Sequence, residues 1–136
     1  MTDAPNERPV MNWSGVAIQL WQCDPDDPVR LSTPFFNAAA VAAFDVPVEV
    51  YFTARSVLLL KPGVAATLYS GDQREKSVYD YMQEAHAHGA VFYACTDAMK
   101  VHGLSGEVLI PEYAGPGGAV RFMARALEPG WRALVF

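Results

Sequence analysis

Short runs rich in β-branched and aromatic residues recur along this chain, separated by segments whose apolar residues repeat at helical spacing. Val16-Ala-Ile-Gln-Leu-Trp21 reads as a buried strand, followed by the turn-rich loop Cys23-Asp-Pro-Asp-Asp-Pro28. Val46-Pro-Val-Glu-Val-Tyr-Phe52 is a second strand, with its proline at the start, where a missing N–H is tolerated. Ala90-Val-Phe-Tyr-Ala94 is a third, Glu112-Tyr-Ala114 a short fourth, and Trp131 to Phe136 a fifth. Between the first two, Thr33 as N-cap and Pro34 at the first helical position predict a helix from about 34 to 44. Its core-facing stripe would be Phe35, Phe36, Ala39, Ala40, Ala43 and Phe44. Apolar Val57 to Leu60 and polar Ser70 to Lys76 read as a loop with a short helical turn. Ser77 then caps a helix carrying Val78, Tyr81, Met82 and Ala85, which Gly89 ends. Thr96 or Asp97 caps a helix over Ala98 to His102, and Ala119 to Leu127 forms another. Strand and helix alternate, and each crossover must return the chain to the same end of the sheet. The expected fold is therefore α/β: three-layer α/β/α with a mostly parallel sheet of about five strands.

Chain length and charge narrow the function classes. A chain of 136 residues can bury about two-thirds of its unfolded surface without a disulfide or metal. With 51% hydrophobic and 18% charged residues it is not a solvated disordered chain, and it has apolar surface to spare for an oligomer interface. The apolar stretch Phe35 to Phe44 is broken by Asn37 and falls far short of the ~20 residues of a membrane span. Residues 1–14 are read as a flexible N-terminal arm without the basic flank and apolar core of a signal peptide, and residues 15–136 as a single domain. A cytoplasmic location follows, where the two cysteines would be free thiols. Net charge is −5, and the ten Lys and Arg are scattered without a run, which disfavours direct nucleic-acid binding.

In a parallel sheet the C-terminal ends of all strands share one edge, where ligands bind. Cys95, Cys23 and Arg55 each follow a strand end and so are expected to meet there. Cys95 also precedes a helix, whose unpaired N–H groups favour the nucleophilic thiolate, while Asp97 opposes it. The same position suits an inert cysteine filling a strand end. Cys23 lies in an acidic turn, either as an ordinary loop cysteine or as a resolving thiol. Arg55 either holds an anionic substrate and tunes Cys95, or is simply solvated. His86 and His88 point to different faces of a helix, and no metal site is expected. Gly115-Pro-Gly-Gly118 lacks a P-loop lysine and reads as a plain loop, and Glu107 and Glu112 make no hydrolytic pair.

Cys95-Thr-Asp-Ala98 with Gly103, preceded by His88-Gly-Ala-Val-Phe-Tyr-Ala94, resembles the cysteine segment of the DsrE/DsrF-like family of sulfur-relay proteins. Ala38 to Phe52, Ser56-Val-Leu-Leu-Leu60 and the glycines from Gly115 to Ala119 extend the resemblance over residues 16–136. What it implies is a sulfur carrier, a possible sulfurtransferase, holding a persulfide on Cys95 without a cofactor. Thr96, Asp97, Arg55, Ser56, Cys23 and His102 are then candidates for substrate binding or thiolate tuning. The implied partners are sulfur donor and acceptor proteins or small thiols, and the implied assembly is a homo-oligomer, a trimer or a hexamer. Val101-His102 stand before Gly103 where studied carriers tend to have a basic pair. The alternative from another class is a non-catalytic binding or assembly domain that takes a small anion or nucleotide at the same edge.

Overall fold

A computed structural model describes residues 12–136; residues 1–11 of the expected N-terminal arm lie outside the described residues. Five strands, β1 (Gly15–Leu20), β2 (Val48–Phe52), β3 (Val91–Ala94), β4 (Tyr113–Pro116) and β5 (Trp131–Val135), form one sheet in the order β4-β3-β2-β1-β5. Every pairing is parallel. The helices are α1 (Ser32–Ala42), α2 (Val78–Ala87), α3 (Thr96–Val101) and α4 (Ala119–Leu127), and a 3₁₀ helix spans Ala54–Leu60. No helix among the described residues is long and apolar enough to cross a membrane.

Register builds the main core. Val16 pairs with Val48, Ile18 with Val50 and Leu20 with Phe52, so alternate residues of β1 and β2 present one continuous apolar face. Phe92 and Ala94 extend it across β3. Phe35 of α1 closes this layer from above, its ring centroid 5.9 Å from both Phe52 and Phe92. Val78, Met82 and Ala85 of α2 complete it, the stripe that the sequence pattern predicts.

α1 departs from its expected form. Leu31 is the N-cap, and the helix starts at Ser32, so Pro34 sits inside the first turn, where an N–H has no intrahelical partner anyway. The buried stripe is Pro34, Phe35, Ala38, Ala39 and Ala42, while Phe36, Ala40, Ala43 and Phe44 are exposed. Apolar residues surround nearly the whole helix, so periodicity alone could not choose the face; packing against Phe52 and Phe92 did.

The opposite face of the sheet carries α4 and holds a charge. Glu49 lies buried mid-strand on β2, accepting a hydrogen bond from the Tyr51 hydroxyl at 2.6 Å. Arg125 of α4 grips it with two hydrogen bonds, of 3.0 and 3.1 Å, and Arg121 reaches it at 3.4 Å. Arg121 also donates to the Tyr93 hydroxyl at 2.9 Å, with its guanidinium 4.2 Å above the Tyr93 ring. Arg125 lies 4.1 Å above the ring of Trp131. The Trp131 ring lies directly over Gly15, where any side chain would collide with it. Burial pushes the Glu49 carboxyl up, but the hydrogen bonds from Arg125 and Tyr51 and the charges of both arginines outweigh it and hold the group below its ordinary value.

Glu49→Gln keeps the shape but removes the carboxylate that Arg121 and Arg125 share, leaving Arg125 only its surface pair with Glu128, and is expected to destabilise the fold by roughly 3 kcal/mol. Because the folded carboxyl sits below its unfolded value, the stabilisation is present above the ordinary carboxylate range and is lost as pH falls. Urea titrations of wild type and variant should therefore converge at acid pH.

Candidate functional site

The parallel pairings bring the ends of β1, β2 and β3 to one edge, and the expected residues lie in the segments that follow them. Cys95 comes directly after β3 and is itself the N-cap of α3, with extended φ/ψ of −68° and 121°. Thr96 and Asp97, expected as caps, are instead exposed residues of the first turn. A strand running straight into a helix leaves no spacer, so the last extended residue must serve as the cap. The Cys95 N–H donates to the Phe52 carbonyl at 2.9 Å, and its own carbonyl accepts from Met99 N–H at 3.1 Å. The sheet ladder thus fixes the residue on one side and the helix on the other. Its side chain is half-buried, packed at the rim of the main core.

The turn before α4 comes close to this cysteine. Gly117 N–H donates to the Ala94 carbonyl at 2.9 Å. A methyl group on Gly117 would stand 2.8 Å from Cβ of Tyr93, so glycine is required for the approach. A methyl group on Gly118 would stand 3.7 Å from Cys95 Sγ, which places this backbone against the thiol. The glycine run read as a plain loop therefore forms one wall of the Cys95 site. Two consecutive glycines just before a helix were the available signal.

Arg55 and Ser56 belong to the 3₁₀ helix after β2. Arg55 Nε donates to Asp24 at 2.8 Å and Nη2 to Asp26 at 3.1 Å, both in the loop after β1. Its charge is thus shared by two aspartates rather than held open for an anion. The Asp24 carboxyl lies below its ordinary value through the Asp26 backbone N–H, against some desolvation, with help from Arg55 and from the charge of His102. His102, the C-cap of α3, therefore acts on the same edge. The buried Ser56 hydroxyl accepts the Thr53 N–H at 2.9 Å and stands 2.6 Å from the Thr53 carbonyl and 3.1 Å from that of Leu20. It ties the end of β1 to the start of the 3₁₀ helix. Among the described residues, no three His, Cys, Asp or Glu side chains group as a metal site.

The two cysteines differ sharply. Cys23 is 3% exposed, its Sγ 3.9 Å from the Phe136 carbonyl, and burial pushes its thiol up to about 11. β2 lies between β1 and β3, so those strand axes are about 10 Å apart. Both thiols are free. Cys23 lacks the access and the thiolate population that a resolving cysteine uses.

Near neutral pH, iodoacetamide should label Cys95 at least ~100-fold faster than Cys23, read by peptide mass. Equal rates would show that the edge opens readily. In the folded state Cys23 keeps its proton to about pH 11, whereas the unfolded chain loses it near the ordinary 9.0. Above the lower value the unfolded chain binds fewer protons, so stability falls with rising pH, by roughly 3 kcal/mol at the top of the window. Tyr51, pushed up to about 12 by burial and by its bond to Glu49, adds to this fall only above its own ordinary value of 10.0. Cys23→Ala should flatten the stability profile between about pH 9 and 10.

The fold matches solved structures across almost their whole length. The ychN protein from E. coli aligns over 90% of this chain and 99% of its own, with 15% identity and a TM-score of 0.66. MTH1491 from Methanobacterium thermoautotrophicum, a protein of unknown function, aligns over 89% of this chain and 97% of its own, with 19% identity and a TM-score of 0.60. At these identities the likeness is one of fold. No curated protein matches the sequence. The sequence profile of the DsrE/DsrF-like family does match, over residues 20–136, which takes in the sheet edge with Cys23, Arg55 and Cys95. The chain thus belongs to the DsrE/DsrF-like family, which is associated with sulfur relay.

Proposed function

We propose that this protein carries sulfur as a persulfide on Cys95. The observation that supports the reading most is the contrast between its two thiols. Cys95 is half-buried at a strand-to-helix junction on the edge where parallel sheets bind ligands, while Cys23 is sealed and kept protonated. The Cys95 thiolate attacks the outer sulfur of a donor persulfide. The donor's S–S bond breaks, its thiolate leaves, and a new Sγ–S bond forms. An acceptor thiolate then attacks that same outer sulfur and releases Cys95 as thiolate. Atoms and electrons balance without an oxidant, and no cofactor takes part.

Gly118 suits this chemistry, because backbone without a side chain leaves room for a second sulfur beside Sγ. Arg55, held by Asp24 and Asp26, acts on the edge as an ordered part of the loop rather than as a free anion ligand. Thr96, Asp97 and His102 line the approach on α3. Donor and acceptor are proteins or small thiols, and the carrier works as a homo-oligomer, a trimer or a hexamer.

Incubation with a persulfide donor, followed by intact-mass measurement, should add one sulfur atom to the wild type and to Cys23→Ser, and none to Cys95→Ser. Unmodified wild-type protein across several donors, or sulfur found on Cys23, would overturn the reading in favour of a non-catalytic binding or assembly domain.

A further inference from the structure

The two faces of the edge strand β5 are covered unequally. Its register with β1 pairs Val16 with Arg132 and Ile18 with Leu134, which sets Arg132 and Leu134 on the face that α1 and α2 bury. α1 packs over β1 and β2 rather than over β5. The step between helix and edge strand leaves a groove of about 270 Å³, with Val16, Val41, Phe44 and Leu134 among its apolar walls and Trp13 and Arg132 at its side. Val16 lies at the start of β1 and Phe44 in the turn that leads into β2, so the groove is at the end of the sheet opposite Cys95.

Arg132 is the one charged residue of this lining. Arg30, Arg55, Arg121 and Arg125 each have a carboxylate partner, whereas Arg132 has none among the described residues. Asp45, between Phe44 and Val46, is exposed, does not line the groove and makes no pair with it. What Arg132 does contact is the Trp13 ring, 4.4 Å from its guanidinium. The Ser14 N–H donates to the Gly130 carbonyl at 2.7 Å, which ties the residues before β1 to those before β5 and holds Trp13 over Arg132. Stacking on a ring occupies a face of the guanidinium and leaves the N–H groups of its edge to donate.

We propose that this groove binds a small apolar carboxylate, its charged head on the edge of Arg132 and its hydrocarbon body along the apolar walls. Charge complementarity selects the head. A guanidinium donates two parallel N–H groups in one plane, which a carboxylate matches with both of its oxygens. A phosphate would carry further oxygens, and the apolar walls hold no donors to satisfy them. The volume selects the body: small-ligand sites usually enclose about 300–1,000 Å³, so a short aliphatic chain fits here and a long lipid does not. Binding at this end of the sheet touches neither Cys95 nor its sulfur.

Octanoate is the probe. Titrated into the full chain, it should change the tryptophan fluorescence saturably, and the change should vanish in Trp13→Phe, which keeps Trp21 and Trp131. It should also raise the midpoint of thermal unfolding, because it binds only the folded chain. Arg132→Gln, at an exposed position, should fold normally and bind octanoate at least ~10-fold more weakly. Octanol, the same chain without a charge, should bind the wild type weakly and with the same affinity in Arg132→Gln. Val41→Trp, which fills the groove, should abolish binding, and Cys95→Ser should leave it unchanged. Four results would overturn the proposal: no saturable change in the wild type, an unaltered octanoate affinity in Arg132→Gln, binding that appears only once residues 1–11 are removed, or octanoate that lowers the mass seen by light scattering. The third would assign the groove to the chain's own first residues, and the fourth to a contact between copies.

Discussion

The parallel pairing of β1, β2 and β3 is the constraint on which the rest depends. Each strand must be followed by a crossover, and each crossover brings the next strand's C-terminal end to the same edge. Three segments far apart in sequence, around Cys23, Arg55 and Cys95, become neighbours for that reason alone. The register that sets Ile18 beside Val50 and Val50 beside Phe92 makes one face an unbroken apolar layer, and α1 and α2 bury it. A slip of one residue would turn Glu49 into that layer, so the buried carboxylate also helps to fix the register.

The other face follows a different logic. There a single ion-paired cluster anchors α4: Tyr93 and Trp131 give the two arginines flat surfaces to lie on, and the Tyr51 hydroxyl accepts from Arg121. A salt bridge of this kind adds less to stability than apolar packing of the same volume, but it is directional. It fixes the rotation of α4 about its axis. That rotation sets the Gly117-Gly118 turn against Cys95, so Glu49, buried beneath α4, influences the thiol site.

Much of this could be read from sequence, because periodicity reports which residues share a face and strand ends report the sheet edge. The five strands, the α2 stripe and the placing of Cys95, Cys23 and Arg55 on one edge all follow from such local signals. Long-range pairing was not legible. The partners of Arg55 lie 29 and 31 residues away, and those of Glu49 on α4 lie 72 and 76 away, with no periodic mark to join them. The burial of Cys23 was hidden by its acidic turn, because what covers it is the distant end of the chain at Phe136. The face of α1 was illegible for the opposite reason: apolar residues on every side give the pattern nothing to select.

The account makes Cys95 a point of transit, at which sulfur rests between two thiols, and a single-turnover discharge tests that most directly. Protein loaded with one sulfur, freed of donor and mixed with an acceptor thiol, is followed by mass on both species. The account predicts that the sulfur leaves Cys95 and appears on the acceptor as a persulfide, one for one, with Cys23 unmodified throughout. Sulfur that stays on Cys95 in excess acceptor, or that passes through Cys23, would contradict it.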